Sequence, residues 1–126
     1  MEAKKRVLVV DDEPGILKVV GIHLKLRGYQ AITTLSGKEA LELAQTWNPN
    51  VILLDILMPE MTGLDVLTRL REFSQVPVIA FTADSQMAEK ALMMGANGSI
   101  AKPFNPEMLL ERIKSALENH KDPGLS

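Results

Sequence analysis

Cysteine is absent from this chain of 126 residues, which excludes disulfide staples, a thiolate nucleophile and Cys-ligated zinc. Aromatic residues make up only 4%, so no interleaved aromatic platform exists on which bases could stack, and no basic run accompanies them. Neither sign of charge dominates. Lys and Arg number 14 against 16 Asp and Glu, a net charge of -2 that offers nucleic acid no strong attraction. Long apolar runs are missing as well: the first, Val7-Leu8-Val9-Val10, has four residues, far short of a signal peptide or a membrane span. These absences lead us to expect a cytoplasmic domain with no direct nucleic-acid binding and no membrane association. What the chain does have is 46% hydrophobic content, which suits one compact unit with a sizeable core.

That apolar content is arranged in short runs that end in polar residues useful for phosphate chemistry. Arg6 to Val10 runs into Asp11-Asp12, Val51 to Leu54 into Asp55, Val78 to Phe81 into Thr82, and Gly98 to Ala101 into Lys102-Pro103. Tyr29 to Thr34 reads as a further strand, second in order along the chain. Between the strands lie helical segments. Pro14 to Arg27 places Ile16, Val19, Val20 and Leu24 at helical spacing, and Gly28 stops it where a left-handed cap is cheapest. Ser36-Gly37-Lys38-Glu39 has the spacing of a capping box before a helix whose Ala40, Leu41, Ala44 and Trp47 share a face. A third helix starts at Thr62-Gly63-Leu64-Asp65 with Val66, Leu67 and Leu70 inward, and a fourth is capped by Asp84 or Ser85 and ends near Gly95. Asn105-Pro106 opens the last, which carries Leu109, Leu110, Ile113 and Leu117. Residues 1–120 are expected to form one domain, and 121–126 a polar tail or the start of a linker.

Apolar strands alternating with helices predict a parallel sheet covered on both faces. All its strands point one way, so their carboxyl ends line one edge, the edge where open α/β sheets bind ligands. Asp11, Asp12, Asp55, Thr82 and Lys102 would converge there. Close carboxylates repel and do not all stay ionised without a counter-ion. Mg²⁺ answers that need, since it prefers oxygen ligands and takes one or two carboxylates beside a phosphate. A carboxylate can itself attack phosphorus, and phosphoryl transfer asks mainly for positioning and charge neutralisation. Each residue also has a plainer role. An Asp pair caps helices, Asp55 suits a turn, Thr82 a strand end, and Lys102-Pro103 an exit into a loop. The coincidence of all of them at one sheet edge favours the chemical reading.

The motifs Val9-Val10-Asp11-Asp12-Glu13, Leu53-Leu54-Asp55-Ile56-Leu57-Met58-Pro59 with Gly63, Phe81-Thr82-Ala83, Gly95-Ala96 and Lys102-Pro103-Phe104 together resemble the receiver domain of two-component response regulators. The resemblance covers residue 5 to about residue 120. It implies a flavodoxin-like α/β fold: a single doubly wound parallel sheet of five strands in the order 2-1-3-4-5, with five helices. It also implies a phosphorylation-controlled switch. Asp55 would accept a phosphoryl group from a phosphohistidine on a sensor histidine kinase or phosphotransfer protein. Asp11, Asp12, Asp55 and the backbone carbonyl of Leu57 would hold Mg²⁺, with Mn²⁺ as substitute. Lys102 would pair with the phosphoryl oxygens after a cis peptide before Pro103, and Thr82 would hydrogen-bond the same group. The chain would then be catalytic only in accepting the phosphoryl group and slowly hydrolysing it, with an effector domain or a downstream protein reading the result. A homodimer through the fourth helix, fifth strand and fifth helix is a further partner arrangement in keeping with the family. His23 and His120 match no phosphotransfer position. The last helix resembles those of receivers fused to winged-helix DNA-binding domains.

One departure stands out. Receivers commonly carry Tyr or Phe three residues before the Lys, and this chain has Ser99, so an aromatic rotamer switch cannot operate. The loop after Thr82 and the following helix, with Met87, Lys90 and Met94, together with the last strand and last helix, are the expected output surface; these methionines equally suit a core. Leu57 and Asp84, two residues beyond Asp55 and Thr82, are expected to set the lifetime of the phosphoryl group. Two other readings compete: a receiver-like interaction module that has lost its switch, and an Asp-nucleophile phosphohydrolase of the haloacid-dehalogenase type. The second requires Asp-x-Asp after the first strand, where this chain has Asp11-Asp12-Glu13.

Overall fold

The computed structural model describes residues 4–119. Its strands are β1 (Arg6–Val10), β2 (Gln30–Thr34), β3 (Val51–Asp55), β4 (Val78–Thr82) and β5 (Gly98–Ala101). Its helices are α1 (Pro14–Leu26), α2 (Gly37–Thr46), α3 (Gly63–Leu70), α4 (Ser85–Met93) and α5 (Pro106–Asn119). The five strands form one parallel sheet in the order β2-β1-β3-β4-β5, as the resemblance implied. None of the described helices is long and apolar enough to cross a membrane. The expected tail, with His120, lies outside the described residues.

Alternation along each strand divides the core into two layers, because successive side chains point to opposite faces. Leu8, Val10, Ile52, Leu54, Val78 and Ala80 pack with Ala40, Ala44, Leu64, Val66, Leu67 and Leu70 from α2 and α3, and with Ala91 from α4. Val7, Val9, Val51, Leu53, Ile79 and Phe81 pack on the other face with Leu17, Val20 and Leu24 of α1 and Leu109, Leu110 and Ile113 of α5. Strands β3 and β4 are buried at every position, whereas β2 and β5 are partly exposed. Continuous apolar sequence marks the central strands and mixed sequence the edges.

The helix ends follow local chemistry, with some differences from the sequence reading. Gly28 has φ +88°, a conformation side chains resist, and terminates α1 as expected. Ser36 accepts from the Glu39 N–H, but the full reciprocal capping box belongs to Thr62 and Asp65. Asn105 accepts from the amides of Glu107 and Met108 at the start of α5. Val19, expected inside, is 45% exposed, and Leu17 takes the buried position. Met87 and Met94 pack against the core, so the apolar residues that α4 exposes are Leu92 and Met93.

One close approach fixes the sheet edge. Gly63 begins α3 and donates its N–H to Ile56 O at 2.9 Å. A Cβ there would strike the Asp55 carbonyl oxygen, and would lie 2.6 Å from Ile56 Cα and 2.9 Å from the Asp55 carbonyl carbon. Backbone atoms cannot rotate aside, so any side chain would push α3 off the end of β3. Gly63→Ala is therefore expected to cost about 3 kcal/mol in urea denaturation. Gly15→Ala in α1, with nothing within 4 Å of the added carbon, should be neutral or stabilising by up to about 1 kcal/mol.

Candidate functional site

Strand register places the polar residues side by side. Val10 pairs with Leu54, so Asp11 follows β1 beside Asp55 at the end of β3. Asp55 pairs with Phe81, which precedes Thr82, and Thr82 pairs with Ala101, which precedes Lys102. A hydrogen bond from the Lys102 N–H to Thr82 O at 3.2 Å continues the last ladder. The Lys102–Pro103 peptide is cis, as expected.

Asp11 and Asp55 are buried to within 1% of full burial. Asp11 Oδ1 accepts the Glu13 N–H at 2.9 Å, and Asp55 Oδ1 accepts the Leu57 N–H at 3.2 Å. The remaining oxygen of each, Oδ2, is buried outside any hydrogen bond of good geometry. Both face the same cation: Lys102 Nζ lies 2.9 Å from Asp11 Oδ2 and 3.4 Å from Asp55 Oδ2. Glu13 Oε1 is 3.5 Å from that ammonium. The Phe81 ring supports it, with its centroid 5.0 Å from Nζ, and is itself met edge-on by Phe104 at 5.4 Å. Thr82 is buried at the end of β4, and its Oγ1 accepts the Asp84 N–H at 3.1 Å.

One ammonium does not balance this many carboxylates. Burial first, then the negative charge of Asp11, raises the Asp55 carboxyl to about 7, against the opposing pull of Lys102. Burial alone would lower Lys102, but Asp11, Asp55 and Glu13 more than reverse it, and its ammonium is held above the usual range. Asp11, Asp12 and Asp55 each offer an oxygen, all within 4.8 Å of one another. That donor set is hard, anionic and short of partners, and so it is compatible with a divalent cation.

The structure thus brings together Asp11, Asp12, Asp55 and Lys102, with Thr82 on the adjoining strand and Leu57 just past Asp55. The sequence reading missed Glu13 and Phe81 as members of the cluster. Glu13 precedes Pro14 at the N-cap of α1, an unusual place for Glu, and that was the available signal. A groove of about 700 Å³ lies elsewhere, between α1 and β2, lined by Leu17, Lys18, Ile22 and Leu35. Its lining mixes apolar side chains with Lys25, Thr33 and Glu39, and it holds none of the clustered carboxylates.

The sequence profile of the response regulator receiver domain matches residues 7–114. A probable transcriptional regulator, ycf27, of Cyanophora paradoxa is 39% identical over 125 residues, covering 98% of this chain and 52% of its own length. The transcriptional regulatory protein KdpE of Mycobacterium tuberculosis is 41% identical over 116 residues, 90% of this chain and 51% of its own. The chain thus spans about half the length of the curated relatives it matches. Among solved structures, chemotaxis protein CheY4 of Vibrio cholerae superposes with a TM-score of 0.85 at 36% identity, over 91% of this chain and all of that one.

The raised Asp55 carboxyl carries a sign. Its value moves from 3.8 unfolded to about 7 folded, so the metal-free folded state binds the proton more tightly. Its contribution to stability is full below about pH 4 and is lost as pH rises to about 7. Asp55→Asn is expected to raise the metal-free melting temperature by about 5 °C at pH 8. Calorimetric scans should show that gain fading toward pH 4.

Proposed function

The chain belongs to the response regulator receiver domain family, and on that premise we propose that Asp55 is the phospho-acceptor of a two-component switch. One observation supports this most directly: a buried carboxylate at the carboxyl edge of the sheet, with one oxygen fixed by the Leu57 N–H and the other free of hydrogen bonds beside a Lys102 ammonium. The donor is a phosphohistidine on a sensor histidine kinase or phosphotransfer protein. An Asp55 oxygen forms the new bond to phosphorus as the phosphorus–nitrogen bond breaks, and the electron pair stays on the imidazole nitrogen. The reaction needs Asp55 ionised, and every positive charge placed nearby opposes the upward shift of its carboxyl.

Asp11, Asp12, Asp55 and the Leu57 carbonyl would hold Mg²⁺, or Mn²⁺ in its place. When bound, the cation supplies charge neutralisation for the phosphoryl oxygens. Lys102 pairs with those oxygens and the Thr82 hydroxyl donates to them. Receiver domains of response regulators interact with histidine kinases and effector domains. Since the relatives named above are transcriptional regulators about twice as long as this chain, we place the output in gene regulation, read by a second domain or partner. The receiver unit is taken as residues 1–120. Ser99 lines a small groove beside Thr82 with Ala88 and Leu92, so output passes through the loop after Thr82 and α4 rather than an aromatic side chain.

Intact-mass spectrometry after incubation with Mg²⁺ and acetyl phosphate tests the acceptor. One phosphoryl adduct is expected on the native chain and none on Asp55→Ala. No adduct from several donors, with no binding of a phosphoryl mimic, would favour the interaction module instead. The lifetime of the adduct rests on a second position. The Leu57 side chain is 52% exposed and apolar, so it cannot orient an attacking water. Leu57→Asn should speed self-dephosphorylation severalfold in a phosphate-release assay.

A further inference from the structure

Glu13 occupies a helix-capping position and does not cap. It is the N-cap residue of α1, yet its side chain accepts no hydrogen bond from the helix, a task that Ser, Thr, Asp and Asn perform. Its carboxylate is 62% exposed and lies 3.5 Å from Lys102 Nζ. Its backbone N–H donates to Asp11 Oδ1, so Glu13 is tied to the carboxylate that makes the shortest contact with Lys102, at 2.9 Å. The ammonium is therefore shared between inner partners, Asp11 and Asp55, and one outer partner.

A divalent cation on Asp11, Asp12 and Asp55 competes with Lys102 for the same carboxylates, and two cations on one carboxylate repel. The ammonium must leave the inner pair while staying near enough to meet a phosphoryl group. Resting on the cation-binding reading above, we infer that Glu13 is a positioning residue. It is the outer station that receives Lys102 when a divalent cation takes the inner carboxylates, and it thereby sets the affinity for that cation. Phe81, whose ring lies 5.0 Å from Nζ, supports the side chain in either place. A Glu at this position also has a simpler use, since any acidic side chain favours the positive end of a helix. The two roles differ in whether Lys102 is required.

The test is a double-mutant cycle read by calorimetric titration of the full chain with Mg²⁺ and no phosphodonor. Glu13→Gln is expected to weaken binding about threefold to fivefold with Lys102 present, and Lys102→Ala alone to tighten it. With Lys102→Ala as background, Glu13→Gln should change affinity by less than about twofold. The same factor in both backgrounds, or no effect in either, would overturn the inference. Side-chain NMR of Lys102 gives an independent readout. At saturating Mg²⁺ its ammonium protons should stay protected from solvent exchange in the native chain and lose protection in Glu13→Gln. Equal protection in the two would also overturn it. A native chain that takes up no Mg²⁺ removes the cation reading and this inference together, whereas normal uptake with additive effects removes the inference alone.

Discussion

An unbalanced charge at the carboxyl edge of the sheet governs this molecule. Asp11 and Asp55 are almost wholly buried, and Lys102 is the ammonium that they share. Burying a carboxylate is costly unless a partner offsets it, and one cation does not offset two such groups. The consequence is visible in Asp55, whose carboxyl is driven up to about 7. A protein selected for stability alone would have little reason to keep this arrangement. It persists readily where a divalent cation completes the charge balance.

The scaffold is built to hold that edge still. Central strands buried at every residue leave little freedom for the residues that end them, and each ladder carries one polar residue to a fixed height. Gly63 lets α3 rest directly on the backbone of Asp55 and Ile56, which sets where the Asp55 carboxylate stands. Phe81 reaches from β4 into the layer beneath α1 and α5 while its ring supports Lys102. Packing and chemistry therefore meet in the same side chains, and a change in the core at these points is also a change in the site.

The fold was largely legible in the chain. Four apolar runs ending in Asp, Asp, Thr and Lys, separated by helix signals, gave the strands to within a residue or two, because central parallel strands need continuous apolar sequence. Gly28, Thr62 and Asn105 marked helix ends through turn and capping chemistry that is local by nature. Side-chain direction was less legible where amphipathic patterns are broad. In α1 both Leu17 and Val19 are apolar, and only the presence of β1 and α5 on one side decided that Leu17 is inside. Met87 and Met94 suited a surface or a core equally well, and folding leaves both partly buried against the packed layer.

The site divides along the same line. Sequence alone placed Asp11, Asp12, Asp55, Thr82 and Lys102 at strand ends, since an apolar run followed by a polar residue is a local signal, and the resemblance to receivers supplied the strand order that makes them neighbours. Tertiary structure decided how they share charge. That Lys102 leans most closely on Asp11, that Glu13 joins it from the helix start, and that Phe81 supports it are matters of distance across separate strands. No spacing along the chain encodes them, because electrostatic coupling depends on separation in space and on burial, and only folding determines both.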